Sequence, residues 1–412
     1  MDTYVFKTKQ WIQVALINFC IVALAGVTLR YKINFSLRAV NQKYLLYAHS
    51  HFAFDGWVTL ALMALMVFYL QKNKVVTNYK KYHWILLANC LVSYAGFIAF
   101  IIEGYGFYAI SVSIITILVS YFFIYFLWRD LHSVEDKSYA INWIKGGLIL
   151  WGLSSLGAFA LAYLMANKIM VQDYYFAAVY FFLHFQYNGW FLFVCFGLLF
   201  YYLYSKEFFS VSAISKKLFF IMALTVVPTY FLSILWLKLP KGLHLLADIS
   251  GILQLFVLIY FIGIFPKVKK SIPNKMAKTT RYLWIMASIA FILKIVLQML
   301  SIIPYLSNFA FGFRPIVIGY LHLSFLGIIS FFILGFFNEI MRATQRRING
   351  GGIIIFVIGF LVQEIILMLQ GLEAMEVTPI PYAAILLLVC AIFMAIGIIW
   401  ITLGVSKKRS EI

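Results

Sequence analysis

Three histidines in long apolar stretches share one local pattern: histidine, an apolar residue, any residue, an aromatic residue, any residue and glycine. The three copies are His51–Gly56, His184–Gly189 and His322–Gly327. An ionisable side chain inside an apolar stretch is costly and is a functional candidate by default. Imidazole nitrogens on facing helices are common ligands of haem iron and of copper. The pattern therefore predicts a haem or copper site.

A hydrogen bond between helices would also explain one lone histidine. Three copies in the same register favour metal ligation, and a b-type haem needs only two of them. His49 lies two positions before His51 and so on the opposite side of a helix, which keeps the two from serving one ligand position easily. His244, at the start of another apolar stretch, adds a further imidazole.

Two carboxylates lie four residues after a histidine, which places each on its histidine's side of a helix. They are Asp55, after His51, and Asp248, after His244. A carboxylate in this position can accept the second ring N–H, which fixes the tautomer and raises the basicity of the ligand. The alternative for Asp55 is a hydrogen bond between helices.

The third histidine with polar neighbours is His184. Tyr187 and Asn188 follow it on the same side of a helix. Their phenol and amide groups are expected near a bound metal or substrate.

Two further charges, Lys294 and Glu364, also lie deep inside apolar stretches. A buried ion pair between nearby helices would explain both charges. A proton path is the alternative, because ionisable residues inside a membrane often mark one.

The chain that positions these residues is strongly apolar. It has 412 residues, 64% of them hydrophobic and 11% charged, whereas a soluble domain has about 25% charged residues. An ordinary soluble protein is therefore excluded. Since a membrane-spanning helix needs about 20 apolar residues, the pattern predicts an all-α, polytopic membrane protein with twelve spans. The predicted spans cover residues 11–31, 44–70, 83–103, 107–128, 143–165, 174–204, 216–237, 246–265, 282–304, 315–338, 352–371 and 382–404.

The net charge of +19 gives the orientation rather than a nucleic-acid partner, because the basic residues lie between the spans. Most of the 33 lysines and arginines lie in the terminal segments and in the loops after even-numbered spans. Cytoplasmic loops retain positive charge, so both termini are predicted to be cytoplasmic. The first span lacks a signal-peptide cleavage site and is expected to be retained. The expected environment is a lipid bilayer.

The histidine motifs fall in spans 2, 6 and 10, four spans apart and at similar depth in the outer half of the membrane. Such periodicity indicates a repeated structural unit. We expect a single transmembrane domain, residues 1–412, made of three four-helix arcs around a pseudo-threefold axis. The repeats cover about residues 1–135, 136–270 and 271–412.

Twelve spans, cytoplasmic termini and histidines near the outer side of spans 2, 6 and 10 together resemble subunit I of the haem-copper oxidase and nitric oxide reductase superfamily. The length and the histidines of spans 2 and 10 also make the chain similar to the NnrS family, whose members are haem- and copper-associated proteins linked to nitric oxide stress. The resemblance implies haem b as a cofactor, with copper or non-haem iron as a second metal.

The resemblance assigns the haem ligands to spans 2 and 10. In span 2 the family's histidine maps onto His51 or its neighbour His49. In span 10 the family has a histidine pair of the form H-x-H, and here only His322 matches, because position 320 is a tyrosine.

The second metal site of the family is only partly present. Span 6 of the family has histidine followed four residues later by tyrosine or glutamate, and His184 with Tyr187 and Asn188 is a near match. The histidine pair of span 7 is absent, since residues 226–230 of that span are Val-Val-Pro-Thr-Tyr. His244 is the candidate to replace a missing ligand.

The function implied by the resemblance is the handling of nitric oxide or oxygen by a haem protein of the bacterial-type inner membrane, with electrons from quinol or an external donor. An incomplete binuclear site leaves reductase activity open. The alternatives are a proton-coupled secondary transporter and a sensor or assembly factor without turnover.

Overall fold

The computed structural model describes most of the chain as helix. The described residues are 6–74, 78–208, 210–237, 239–271, 276–303, 305–307, 312–343, 348–373 and 381–406. No strand occurs among them, as expected for a chain in a membrane, where only helices and closed barrels satisfy every backbone polar group.

Eleven helices within these residues are long and apolar enough to cross a membrane, and a bent helix pair makes up to twelve. The predicted all-helical, polytopic fold is confirmed. Spans 1 to 12 are, in order, Thr8–Asn34, Gln42–Lys72, Lys80–Glu103, Phe107–Leu131, Ala140–Ala166, Gln172–Ser205, Val211–Val226 with Pro228–Ile234, Lys241–Ile264, Lys278–Leu300, Arg314–Arg342, Gly350–Glu373 and Ala383–Val405.

Span 7 is broken where the sequence predicted one continuous helix over residues 216–237. Its two parts meet at an angle of 50°, and the second part is a 3-10 helix that begins at Pro228. Proline has no backbone N–H and does not fit the interior of an α-helix. Beyond the break, the Tyr230 N–H bonds the carbonyl of Val227 at 3.1 Å, three residues back. The Tyr230 N–H therefore does not bond the Val226 carbonyl, which lies four residues back. That carbonyl accepts hydrogen bonds from side chains instead.

Each of the three histidine motifs coincides with a π-helical segment, which the sequence patterns did not predict. We call these segments π1, Ala53–Thr59, π2, His184–Phe191, and π3, Leu323–Ser330. Extended π-helix is rare and is found mostly at functional sites. The predicted repeat therefore has a local structural counterpart in spans 2, 6 and 10.

The described contacts divide the chain into two compact units, and each is treated by itself below. Unit 1 comprises Met1–Ser133, Ala277–Leu283 and Ser330–Ile412, and unit 2 comprises Val134–Met276 and Trp284–Ile329. These bounds differ from the predicted repeats, so the pseudo-threefold arrangement of three arcs stays a prediction.

The tryptophans that follow the first two motifs pack in the same way in both units. In unit 1, Trp57 stacks on Phe19 of span 1 with ring centroids 4.3 Å apart. In unit 2, Trp190 stacks on Trp151 of span 5 at 4.1 Å. Trp57 is 1% exposed and Trp190 fully buried, so both belong to the protein core rather than to a lipid-facing belt.

Glycines allow spans 11 and 12 of unit 1 to approach until their backbones touch. A methyl group added at Gly397 would lie 2.7 Å from the Gly352 carbonyl oxygen and 2.7 Å from the Phe356 nitrogen. Small residues at helix interfaces permit such close packing in membranes.

Gly397→Ala is therefore expected to lower the free energy of unfolding by about 1–3 kcal/mol, because the two backbones must move apart. The measurement is thermal unfolding of the detergent-solubilised protein. Gly152→Ala in span 5 is the control, since a methyl group there meets no atom within 4 Å. Equal loss of stability in both variants would contradict this account.

Candidate functional site

His49 of unit 1 has the hydrogen bonding of a metal ligand. Its Nδ1 lies 3.1 Å from the carbonyl oxygen of Val22 in span 1. A carbonyl only accepts, so Nδ1 carries the proton and Nε2 keeps its lone pair. Histidines that ligate metals commonly donate the second ring N–H to a carbonyl or carboxylate in this way.

The His49 ring lies against span 1 at a glycine. A methyl group added at Gly26 would be 3.4 Å from His49 Cε1, so the glycine leaves room for the ring beside span 1. The ring is held by a hydrogen bond at one nitrogen.

His51 is held differently, by residues near the outer turn between spans 3 and 4. Its Nε2 lies 2.9 Å from the hydroxyl of Tyr105, and its ring stacks on Phe100 with centroids 4.2 Å apart. Burial raises the pKa of Tyr105 to about 12, so the phenol keeps its proton at neutral pH. The bonded nitrogen is therefore Nε2 in His51 and Nδ1 in His49, so the two histidines leave opposite ring nitrogens for a ligand.

The predicted hydrogen bond from His51 to Asp55 is not among the hydrogen bonds of the described residues, and Tyr105 takes its place. The hydroxyl of Tyr105, rather than a carboxylate, is the partner of His51 Nε2.

Asparagines of neighbouring spans bond the carbonyl groups of π1. Asn18 Nδ2 donates to the Gly56 carbonyl at 2.7 Å, and Asn89 Nδ2 donates to the Asp55 carbonyl at 3.0 Å. Tyr94 in turn donates to Asn18 Oδ1 at 2.7 Å. The alternative of a helix–helix hydrogen bond at Asp55 is thus present through its backbone. Buried asparagines in apolar spans 1 and 3 were the available sequence signal.

His184 of unit 2 uses both ring nitrogens in hydrogen bonds. Its Nε2 lies 2.7 Å from the Val226 carbonyl, which the break in span 7 leaves to side chains. Its Nδ1 lies 3.1 Å from Asn188 Nδ2. His184 is fully buried, and no lone pair of its ring is directed at a metal. The imidazole thus connects span 6 to span 7.

Tyr187 and Tyr320, also of unit 2, form a side-chain hydrogen bond with each other. Their ring centroids lie 6.2 Å apart. Tyr320 occupies the position where the family has the first histidine of its span-10 pair. The hydroxyl of Tyr320 is hydrogen-bonded to that of Tyr187. This geometry gives no support to the prediction that Tyr187 lies beside a metal.

The remaining predicted ligands are more scattered. His244 Nδ1 lies 3.4 Å from Asp248 Oδ2, and the two side chains are 43% and 34% exposed. His322 lies in unit 2, immediately before π3, whereas His49 lies in unit 1, so their pairing stays a prediction. No group of three or more metal-ligating side chains occurs among the described residues.

The two predicted intramembrane charges also lie in different units, Lys294 in unit 2 and Glu364 in unit 1. Lys294 is 3% exposed. The ion pairs formed by the described residues include neither side chain. The predicted ion pair and the alternative proton path stay predictions.

Comparison with solved structures gives the fold. The chain is similar to a haem-copper terminal oxidase solved as a dimer by cryo-electron microscopy, with a TM-score of 0.70 and 12% sequence identity over 99% of this chain and 86% of that one. No protein-family model matches the sequence, and no curated protein is similar to it. The chain has the fold of a haem-copper oxidase subunit I, and the similarity to the NnrS family stays a prediction.

His184→Ala is expected to lower the free energy of unfolding by about 2–3 kcal/mol, because it removes two buried hydrogen bonds, to the Val226 carbonyl and from the Asn188 amide. The measurement is thermal unfolding together with metal analysis. The metal content is expected to be unchanged. Loss of a stoichiometric copper or non-haem iron in this variant would show instead that His184 is a ligand.

Proposed function

We propose that the chain is a haem-binding, multi-pass membrane protein that handles a diatomic gas, nitric oxide or oxygen. The observation that carries the proposal is His49. Its Nδ1–H is bonded to the Val22 carbonyl at 3.1 Å, which leaves the lone pair of Nε2 for a ligand. The haem-copper oxidase-like fold supports the same assignment.

The residues of unit 1 fit a haem ligand in three respects. The hydrogen bond to Val22 selects the tautomer that ligates iron. Gly26 leaves room for the ring beside span 1. The aromatic core around π1, including Trp57 and Phe19, provides a dry, rigid support, since the protein environment tunes the potential of a haem. A bound b-type haem would supply one-electron redox chemistry and a gas-binding iron.

The second axial ligand in this proposal is His322, as the sequence predicts. Electrons would come from quinol or an external donor, and the location would be a bacterial-type inner membrane, both by the same resemblance. The proposal contains no second metal at His184, because both nitrogens of that ring are hydrogen-bonded to protein.

Purified protein is expected to show a Soret band and one stoichiometric iron, and His49→Ala is expected to lose both. His51→Ala is the matched control. It removes an imidazole two residues away whose Nε2 is bonded to Tyr105, so it is expected to keep the band. Absorption spectra and iron analysis of the three proteins make the comparison.

A colourless, iron-free wild-type protein would overturn the proposal. If His51→Ala loses the band and His49→Ala keeps it, the protein binds haem, but its ligand is His51 and not His49. Addition of nitric oxide to the reduced wild-type protein is expected to shift the Soret band, and consumption of the gas would separate a reductase from a sensor.

A further inference from the structure

The hydrogen bonds around His184 have a fixed direction. The Val226 carbonyl only accepts, so His184 Nε2 carries the ring proton. His184 Nδ1 is therefore an acceptor, and the group that lies 3.1 Å from it on Asn188 must be the amide NH₂. The other end of that amide, Asn188 Oδ1, consequently points elsewhere.

Asn188 Oδ1 is a buried acceptor with no hydrogen-bond partner among the described residues. It borders a small cavity in unit 2, which Gln254 of span 8 and Lys294 of span 9 also line. Gln254 Oε1 is a second buried acceptor without a partner there. An unbonded acceptor in the protein interior costs about 1–3 kcal/mol, so both oxygens require a donor.

The size and polarity of the cavity fit one water molecule. The cavity has a volume of about 20 Å³ for water centres, and one buried water needs about 10–15 Å³ by the same measure. Such a water also needs two to four polar partners. The lining residues of the cavity include two with unbonded accepting oxygens, Asn188 and Gln254, and one with a donating amine, Lys294. A single water, which donates twice and accepts, satisfies all three.

We propose that this cavity is a water-binding site, in which one ordered water accepts a hydrogen bond from Lys294 Nζ and donates to Asn188 Oδ1 and Gln254 Oε1. A metal ion is disfavoured here because His184 offers it no lone pair. A small anion is disfavoured because the two carbonyl oxygens would face it. The water thus completes a polar network that runs from the broken span 7 through span 6 to spans 8 and 9.

The site gives Lys294 a role that differs from an ion pair. The water and the two amides solvate the amine inside the membrane, where a lone lysine is costly. This inference is independent of the proposed haem, because it involves only unit 2 and neither His49 nor its surroundings.

The test is labelling of the intact wild-type protein with hydroxyl radicals generated by X-rays, which oxidise side chains next to bound water, followed by mass spectrometry. Phe291 lines the cavity and is 3% exposed. Phe360 of span 11 is also 3% exposed and is the matched control. Phe291 is expected to be oxidised several-fold faster than Phe360, and equal rates would overturn the proposal.

Asn188→Leu removes one acceptor and fills part of the cavity, so the rate at Phe291 is expected to fall to that at Phe360. An undiminished rate in a folded Asn188→Leu protein would also overturn the proposal. If this variant does not fold, the wild-type comparison still decides. Copper or non-haem iron that is present in the wild type and absent from His184→Ala would show a metal in place of the water network.

Discussion

Backbone carbonyl groups released by irregular helix turns are the constraint on which this structure depends. Inside a membrane no solvent is present to bond them, so each must find a donor within the protein. The chain supplies these donors from neighbouring spans. Asn18 and Asn89 bond carbonyls of π1, and His184 bonds the carbonyl freed at the break of span 7. The polar residues of the core are thus explained first by the backbone around them.

The same constraint separates the repeated histidines, which look equivalent in sequence. The neighbour of the first one, His49, gives only Nδ1 to a carbonyl and keeps a nitrogen for a ligand. His51 gives Nε2 to a tyrosine, and His184 gives both nitrogens to the protein. His49, His51 and His184 therefore differ in which ring nitrogens remain unbonded, because the hydrogen bonds of an imidazole decide which nitrogen can bind a ligand.

The number and position of the spans could be predicted from the sequence because hydrophobic length is a local property. Which histidines lie inside the spans could be predicted for the same reason. The π segments could not be predicted, since the spacing of side chains on one turn depends on how the neighbouring spans pack. Asn188 bonds His184 inside π2, whereas the partner of His51 is Tyr105, a difference that the common spacing of four residues does not show. The break at Pro228 was readable from the proline, but its consequence for Val226 was not.

The bond between His184 and Val226 also constrains how unit 2 can move. Sliding span 7 along span 6 would leave the imidazole N–H of His184 without an acceptor in an apolar core, where no water replaces the lost partner. The bond therefore favours movement of the two spans together. The break at the proline is thus accompanied by a polar contact between span 7 and span 6.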